Sequence, residues 1–152
     1  MTKKQSAGLL LFRRNSGATE VFIVHPGGPF WKNKDAGSWS IPKGETGGDE
    51  DLLSAAIREF HEETGKNISG EFISLHPVKQ RSGKIIHAFA IEHDLDASAI
   101  VSNAFEIEWP PKSGKMQHFP EIDKGDWFTL DEARKKINQA QVAFIDELEE
   151  KI

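Results

Sequence analysis

A single α/β domain, with a mixed β-sheet flanked by helices, is the fold class that this 152-residue sequence predicts. Three observations predict it. Short β-favouring runs recur between turn residues, which is the mark of strands. One segment, from Leu53 to Glu63, places its apolar residues at helical spacing instead. Two further helical patterns close the chain after Thr129. With 38% hydrophobic residues the chain can bury one core, and neither an internal repeat nor an interdomain linker divides it. Residues 1–152 are therefore read as one domain.

Ser6 to Phe12 and Glu20 to His25 are short apolar runs separated by Asn15-Ser16-Gly17, a hairpin pattern. A long loop then runs from His25 to Gly37 and carries Phe30 and Trp31, whose rings either both fold back onto the core or leave one free to stack on a flat ligand. Ser38 to Pro42 looks like a strand. The helix bearing Leu53, Ala56, Ile57 and Phe60 follows, with these residues as its buried stripe. Strand character returns at Glu71 to Leu75, Val78 to Arg81 and Lys84 to Glu92, with Ser82-Gly83 as a tight turn. Asp94 to Ser98 reads as a turn. Phe105 to Trp109 reads as a strand halted by Pro110-Pro111, Lys112 to Glu121 as a loop, and Asp126 to Phe128 as a short strand. Thr129 with Glu132 forms a capping box for a helix to about Asn138, and a closing helix from about Val142 to Lys151 turns Phe144, Ile145 and Leu148 inward.

The chemistry concentrates on the first helix. Glu59, Glu62 and Glu63 stand at i, i+3 and i+4, so they project within one sector. Carboxylates packed this closely raise one another's pKa, and a hard cation such as Mg²⁺ or Mn²⁺ would neutralise them. The plainer alternative is a solvated acidic face. Gly44 and Gly65 bracket the segment, and Glu50 precedes Arg58 by eight residues. Together these residues resemble the box of the Nudix hydrolase family: G, five residues, E, seven residues, R-E-U-x-E-E-x-G-U, with U bulky and apolar. Gly44, Glu50, Arg58, Glu59, Phe60, Glu62, Glu63 and Gly65 match it, and Lys66 departs from it.

The resemblance implies an α/β/α sandwich in which the box forms loop, helix, loop against the sheet. It implies a hydrolase of phosphoanhydrides, a reaction that needs an activated water and neutralised phosphoryl charge, both of which carboxylate-held divalent ions supply. By it Glu59, Glu62 and Glu63 are the catalytic metal ligands, with the Lys43 carbonyl completing the coordination. Glu50 and Arg58 form an ion pair that holds the box loop. Glu121, six residues before Trp127, is similar to a functional glutamate of the diadenosine polyphosphate hydrolases in the family, and is a candidate base and metal ligand. A surface glutamate is its alternative reading. The run Pro42-Lys43-Gly44 is shared with the same branch, where the lysine lies near the phosphates. Trp31, Arg81, Lys84 and His87 are the other candidate substrate contacts: Trp31 because flat rings suit nucleobases, Arg81 and Lys84 as cations, and His87 in place of a tyrosine the chain lacks.

Composition narrows the partners. The net charge of −5, with cations scattered, is no footprint of a duplex-DNA binder. The absence of cysteine excludes disulfides and cysteine nucleophiles and fits a reducing compartment. The N-terminal apolar run is too short for a signal sequence or membrane span, so the cytoplasm is the expected location. A small nucleotide is the expected partner of a monomer or homodimer. The chain also looks similar to small bacterial MutT-like NTP pyrophosphohydrolases that share the runs His25 to Trp31 and Trp39 to Glu45. It lacks the proline beyond the box that marks ADP-ribose hydrolases. Dinucleoside polyphosphates or nucleoside triphosphates are the favoured substrates. An RNA 5′-end pyrophosphohydrolase and a nucleotide-sensing module without catalysis are the alternatives; a basic path for a polymer is not evident, and a sensor would have no need of three intact glutamates.

Overall fold

A computed structural model describes residues 4–152. Its centre is β1 (Gln5–Asn15), joined to β2 (Ala18–Pro26) through Ser16 and Gly17, which both take positive φ. Such a two-residue turn matches the twist of the strands it joins. β1 divides its partners on one side: its C-terminal half pairs with β2, and Ser6 to Gly8 pair with β3 (Lys43–Glu45). On its other side it runs parallel to β6 (Ile85–Glu92). The short strands β4 (Ile73–Ser74) and β5 (Val78–Lys79) pair with β6. All pairings but β1 with β6 are antiparallel, so the sheet is mixed.

Both faces of the sheet are covered, which is why β1 reads as a continuous apolar run. Ala7, Leu9 and Leu11 point to the helix α1 (Leu52–Thr64), against Ala55, Ala56 and Phe60. Leu10 and Phe12 point the other way, into a core completed by α2 (Leu130–Lys136) and α3 (Val142–Lys151) through Ala133, Phe144, Ile145 and Leu148. The expected α/β/α sandwich is therefore observed. The capping box of α2 is formed by Thr129 and Glu132, as its spacing predicts. No helix among the described residues is long and apolar enough to cross a membrane.

Three elements differ from expectation. Ser38 to Pro42 makes only isolated bridges, Ser40 to Val24 and Trp39 to Ile137, and the strand proper starts at Lys43. The apolar residues there serve burial, and the Gln141 side chain accepts the Ile41 N–H at 3.0 Å in place of a strand partner. Lys112 to Glu121 is not all loop, because β8 (Met116–Pro120) pairs with β7 (Ala104–Glu108) in a separate two-stranded sheet. The last strand, β9 (Ile122–Thr129), is longer than expected and pairs with β2. Glu121 is thus the single bend residue between β8 and β9.

Candidate active site

Asp51 caps the N-terminus of α1 by accepting the Ser54 N–H at 3.1 Å, and Gly65 ends the helix in the left-handed conformation. The acidic side of the helix is not a solvated face. Glu59 and Glu63 retain only 9% and 8% exposure, because they point toward β3 and are covered by it. Glu63 Oε1 accepts the Lys43 N–H at 3.2 Å. Glu59 packs against the bare Cα of Gly44: a Cβ built there would overlap the Glu59 carboxyl. Gly44→Ala is accordingly expected to push Glu59 from its place at a cost of about 1–3 kcal/mol of stability. Urea denaturation checks this, and an unchanged midpoint would contradict it.

Arg58 uses all five of its donors. Nε and Nη2 donate to the two oxygens of Glu50, each at 2.8 Å, and Nη2 also donates to the Glu45 carbonyl at 3.2 Å. Nη1 donates to Glu59 at 2.8 Å and to Glu62 at 3.1 Å. The fork, with the Gly47 N–H, holds the Glu50 carboxyl down to about 2. Box loop and acidic helix are thereby pinned to one guanidinium.

Burial acts oppositely on the carboxyls nearer the sheet. It pushes Glu63 up to about 8, helped by Glu121 and Glu59, while the Lys43 charge pulls the other way. Glu59 is raised first by burial and then by Glu62 and Glu121, against Arg58. Glu121 is raised by burial and by Glu62. Lys43 is lowered by burial and then by Lys84. A carboxyl whose pKa is raised by folding favours the folded state while protonated. The Glu63 contribution is therefore full below its ordinary 4.5 and lost as pH rises through about 8. Metal-free protein is expected to lose stability across that window, and Glu63→Gln to flatten the loss; parallel melting profiles against pH in chelator would refute this.

Trp31, Lys43, Glu63 and Glu121 line one cleft of about 360 Å³, together with Val24 and Phe105. Trp31 is 39% exposed and Phe30 56%, so neither ring folds into the core; Phe30 meets Trp109 edge-on at 5.2 Å. The Trp31 loop is anchored by buried His25, whose Nε2 lies 2.6 Å from the Lys34 carbonyl and Nδ1 2.9 Å from Asp123. Other candidates lie elsewhere. Arg81 lines a separate cavity with Gln139 and Asn138, because its turn projects toward the α2 side. His87 is not among the cleft residues; it bonds Gln5 at 2.9 Å and is lowered by burial. Lys84 lies 3.6 Å from Glu45, outside the cleft lining but near enough to Lys43 to depress it. Phe105 was not anticipated as a cleft residue, although its alternation with Ile107 marks a shared strand face.

Among the described residues no three acidic, histidine or cysteine side chains converge closely enough to grip an ion as they stand. Glu59 and Glu62 are turned to Arg58, and Glu63 to the Lys43 N–H. The donors nonetheless suit a hard divalent cation: they are carboxylate oxygens, two of them nearly buried and incompletely neutralised.

The chain is of a class of hydrolases that act on phosphoanhydride bonds and whose members generally use divalent metals. The NUDIX domain model matches residues 2–148, and the chain belongs to the Nudix family. Solved structures agree in fold. A C. elegans Ap4A hydrolase in a binary complex has a TM-score of 0.65 at 19% identity, covering 97% of this chain and 96% of that one. The NUDIX domain of Shewanella oneidensis NrtR, complexed with ADP ribose, gives 0.68 at 15% identity, covering 99% and 89%. MutT, from work on Aliivibrio salmonicida and Vibrio cholerae, gives 0.56 at 15%, covering 97% of both chains. No curated protein matches the chain in sequence.

Proposed function

We propose that this chain is an Mg²⁺- or Mn²⁺-dependent pyrophosphohydrolase of dinucleoside polyphosphates such as diadenosine tetraphosphate, or of nucleoside triphosphates. One observation carries the reading: two carboxyls raised by burial, Glu63 and Glu121, share a cleft with Lys43 and the rings of Trp31 and Phe105. A phosphate chain needs the first three, and a nucleobase the last two. Similarity in fold to an Ap4A hydrolase supports the first of these classes.

Glu59, Glu62, Glu63 and Glu121 are the residues that would hold the cation. When bound it neutralises phosphoryl oxygens and makes a coordinated water more acidic. Lys43 draws the phosphate chain to the buried end of the cleft. Glu121 accepts a proton from the attacking water as the new P–O bond forms and the bridging P–O bond breaks. Arg58 keeps the helix carboxylates in register, and Glu50 and Gly44 hold the box loop against them.

The test is hydrolysis of diadenosine tetraphosphate, canonical and oxidised dNTPs, ADP-ribose and a nucleotide sugar with Mg²⁺, using Glu62→Gln as the blank. Preference for the first two classes supports the reading. Cleavage of ADP-ribose alone, or no turnover above the blank, overturns it.

A further inference from the structure

Between the exit of α1 and the bend at Glu121 runs a strap, Val101 to Asn103, with bonds to both. The Val101 N–H donates to the Thr64 carbonyl at 2.8 Å, and the Asn103 N–H to the Glu62 carbonyl at 2.9 Å. These bonds satisfy two acceptors that a helix end leaves open. On the other side the Glu121 N–H donates to the Asn103 carbonyl at 2.9 Å, and the Ile122 N–H to Ser102 Oγ at 3.0 Å. The backbone thus fixes where Glu121 departs from the chain, and the Gly27 N–H holds its carbonyl at 2.7 Å.

The side chain of Asn103 adds something the backbone does not. Two acceptors face its side-chain amide, so hydrogen bonding assigns the nitrogen and not the oxygen to that side, 3.2 Å from the Glu62 carbonyl and 3.3 Å from Glu121 Oε2. One NH₂ group then joins the acidic helix to the carboxylate across the cleft. Asn103 is exposed, so its hold rests on these hydrogen bonds and little on packing. We infer that Asn103 is a positioning residue, whose amide aims the Glu121 carboxylate and keys it to the backbone of Glu62. This rests on the role proposed above for Glu121.

In Asn103→Leu the backbone strap persists while the amide is lost. Turnover is expected to fall about tenfold to a hundredfold with KM nearly constant, the size usual for residues that orient a functional group. Because the effect passes through Glu121, the same substitution in a Glu121→Ala background is expected to add nothing. Equal losses in both backgrounds would show a merely structural role and overturn the inference. So would full activity of Asn103→Leu beside an impaired Glu121→Ala. A fully active Glu121→Ala would instead remove the proposed role of Glu121 itself. A second readout uses the native, metal-free chain and needs no Asn103 variant: the Asn103 side-chain amide protons, followed by NMR, are expected to shift and to exchange faster with water in Glu121→Ala. Resonances unmoved by that change would refute the contact.

Discussion

Replacing Glu62 with glutamine is expected to lower turnover by about 10²–10⁴-fold, the range for a side chain essential to charge or proton handling at the reacting centre. Stability should hold or rise. The Glu62 side chain is 40% exposed, and its one recorded bond, from Arg58 Nη1 at 3.1 Å, is to an oxygen that glutamine retains. What disappears is a negative charge that raises both Glu59 and Glu121. Losing function without losing the fold is the signature of a group retained for chemistry at some expense to packing. Steady-state kinetics with a melting curve on the same preparation decides the matter. A variant active within a few-fold would remove Glu62 from the site.

Arg58→Met should cost both stability and turnover. Three carboxylates, Glu50, Glu59 and Glu62, lose their shared partner, and the Glu45 carbonyl loses a donor. Stranding buried charge costs several kcal/mol, but the Arg58 side chain is 39% exposed and water screens part of the loss. We expect about 2 kcal/mol, with turnover lost as Glu59 and the box loop move. Arg58→Lys should rescue little, because an ammonium group cannot supply the two-pronged bond to Glu50. Chemical denaturation of both variants provides the measurement, and a lysine variant as stable as the parent would contradict the fork.

The elements legible in the sequence were those whose own residues carry a burial or capping signal: continuous apolar runs in strands covered on both faces, an apolar stripe at helical spacing, or a capping box. β1, β2, α1 and the capped α2 carried that signal in their own residues. β8 did not: Met116, Gln117 and His118 are all exposed, so no face of this strand is apolar and its pairing with β7 left no periodic trace. The site divided along similar lines. The box residues are close in sequence, and one helix with its preceding loop brings them together. Glu121 was singled out by its resemblance, six residues before Trp127, to a glutamate of the diadenosine polyphosphate hydrolases; it lies on the cleft at a bend and not in a loop. Arg81 was misplaced because charge alone does not reveal which way a hairpin turn projects. Asn103 had no local signal at all, since both its partners are set by tertiary contact.

The parallel pairing of β1 with β6 also bears on how the chain is made. Gln5 and His87 lie side by side though 82 residues separate them. During synthesis β1 emerges well before β6, closes its hairpin with β2 at once, and then presents a bare apolar edge until β6 has left the ribosome. A strand in that condition is a template for any other extended chain nearby. Nascent-chain truncations ending before residue 85 should therefore be captured by chaperones or aggregate more than those extending past residue 92.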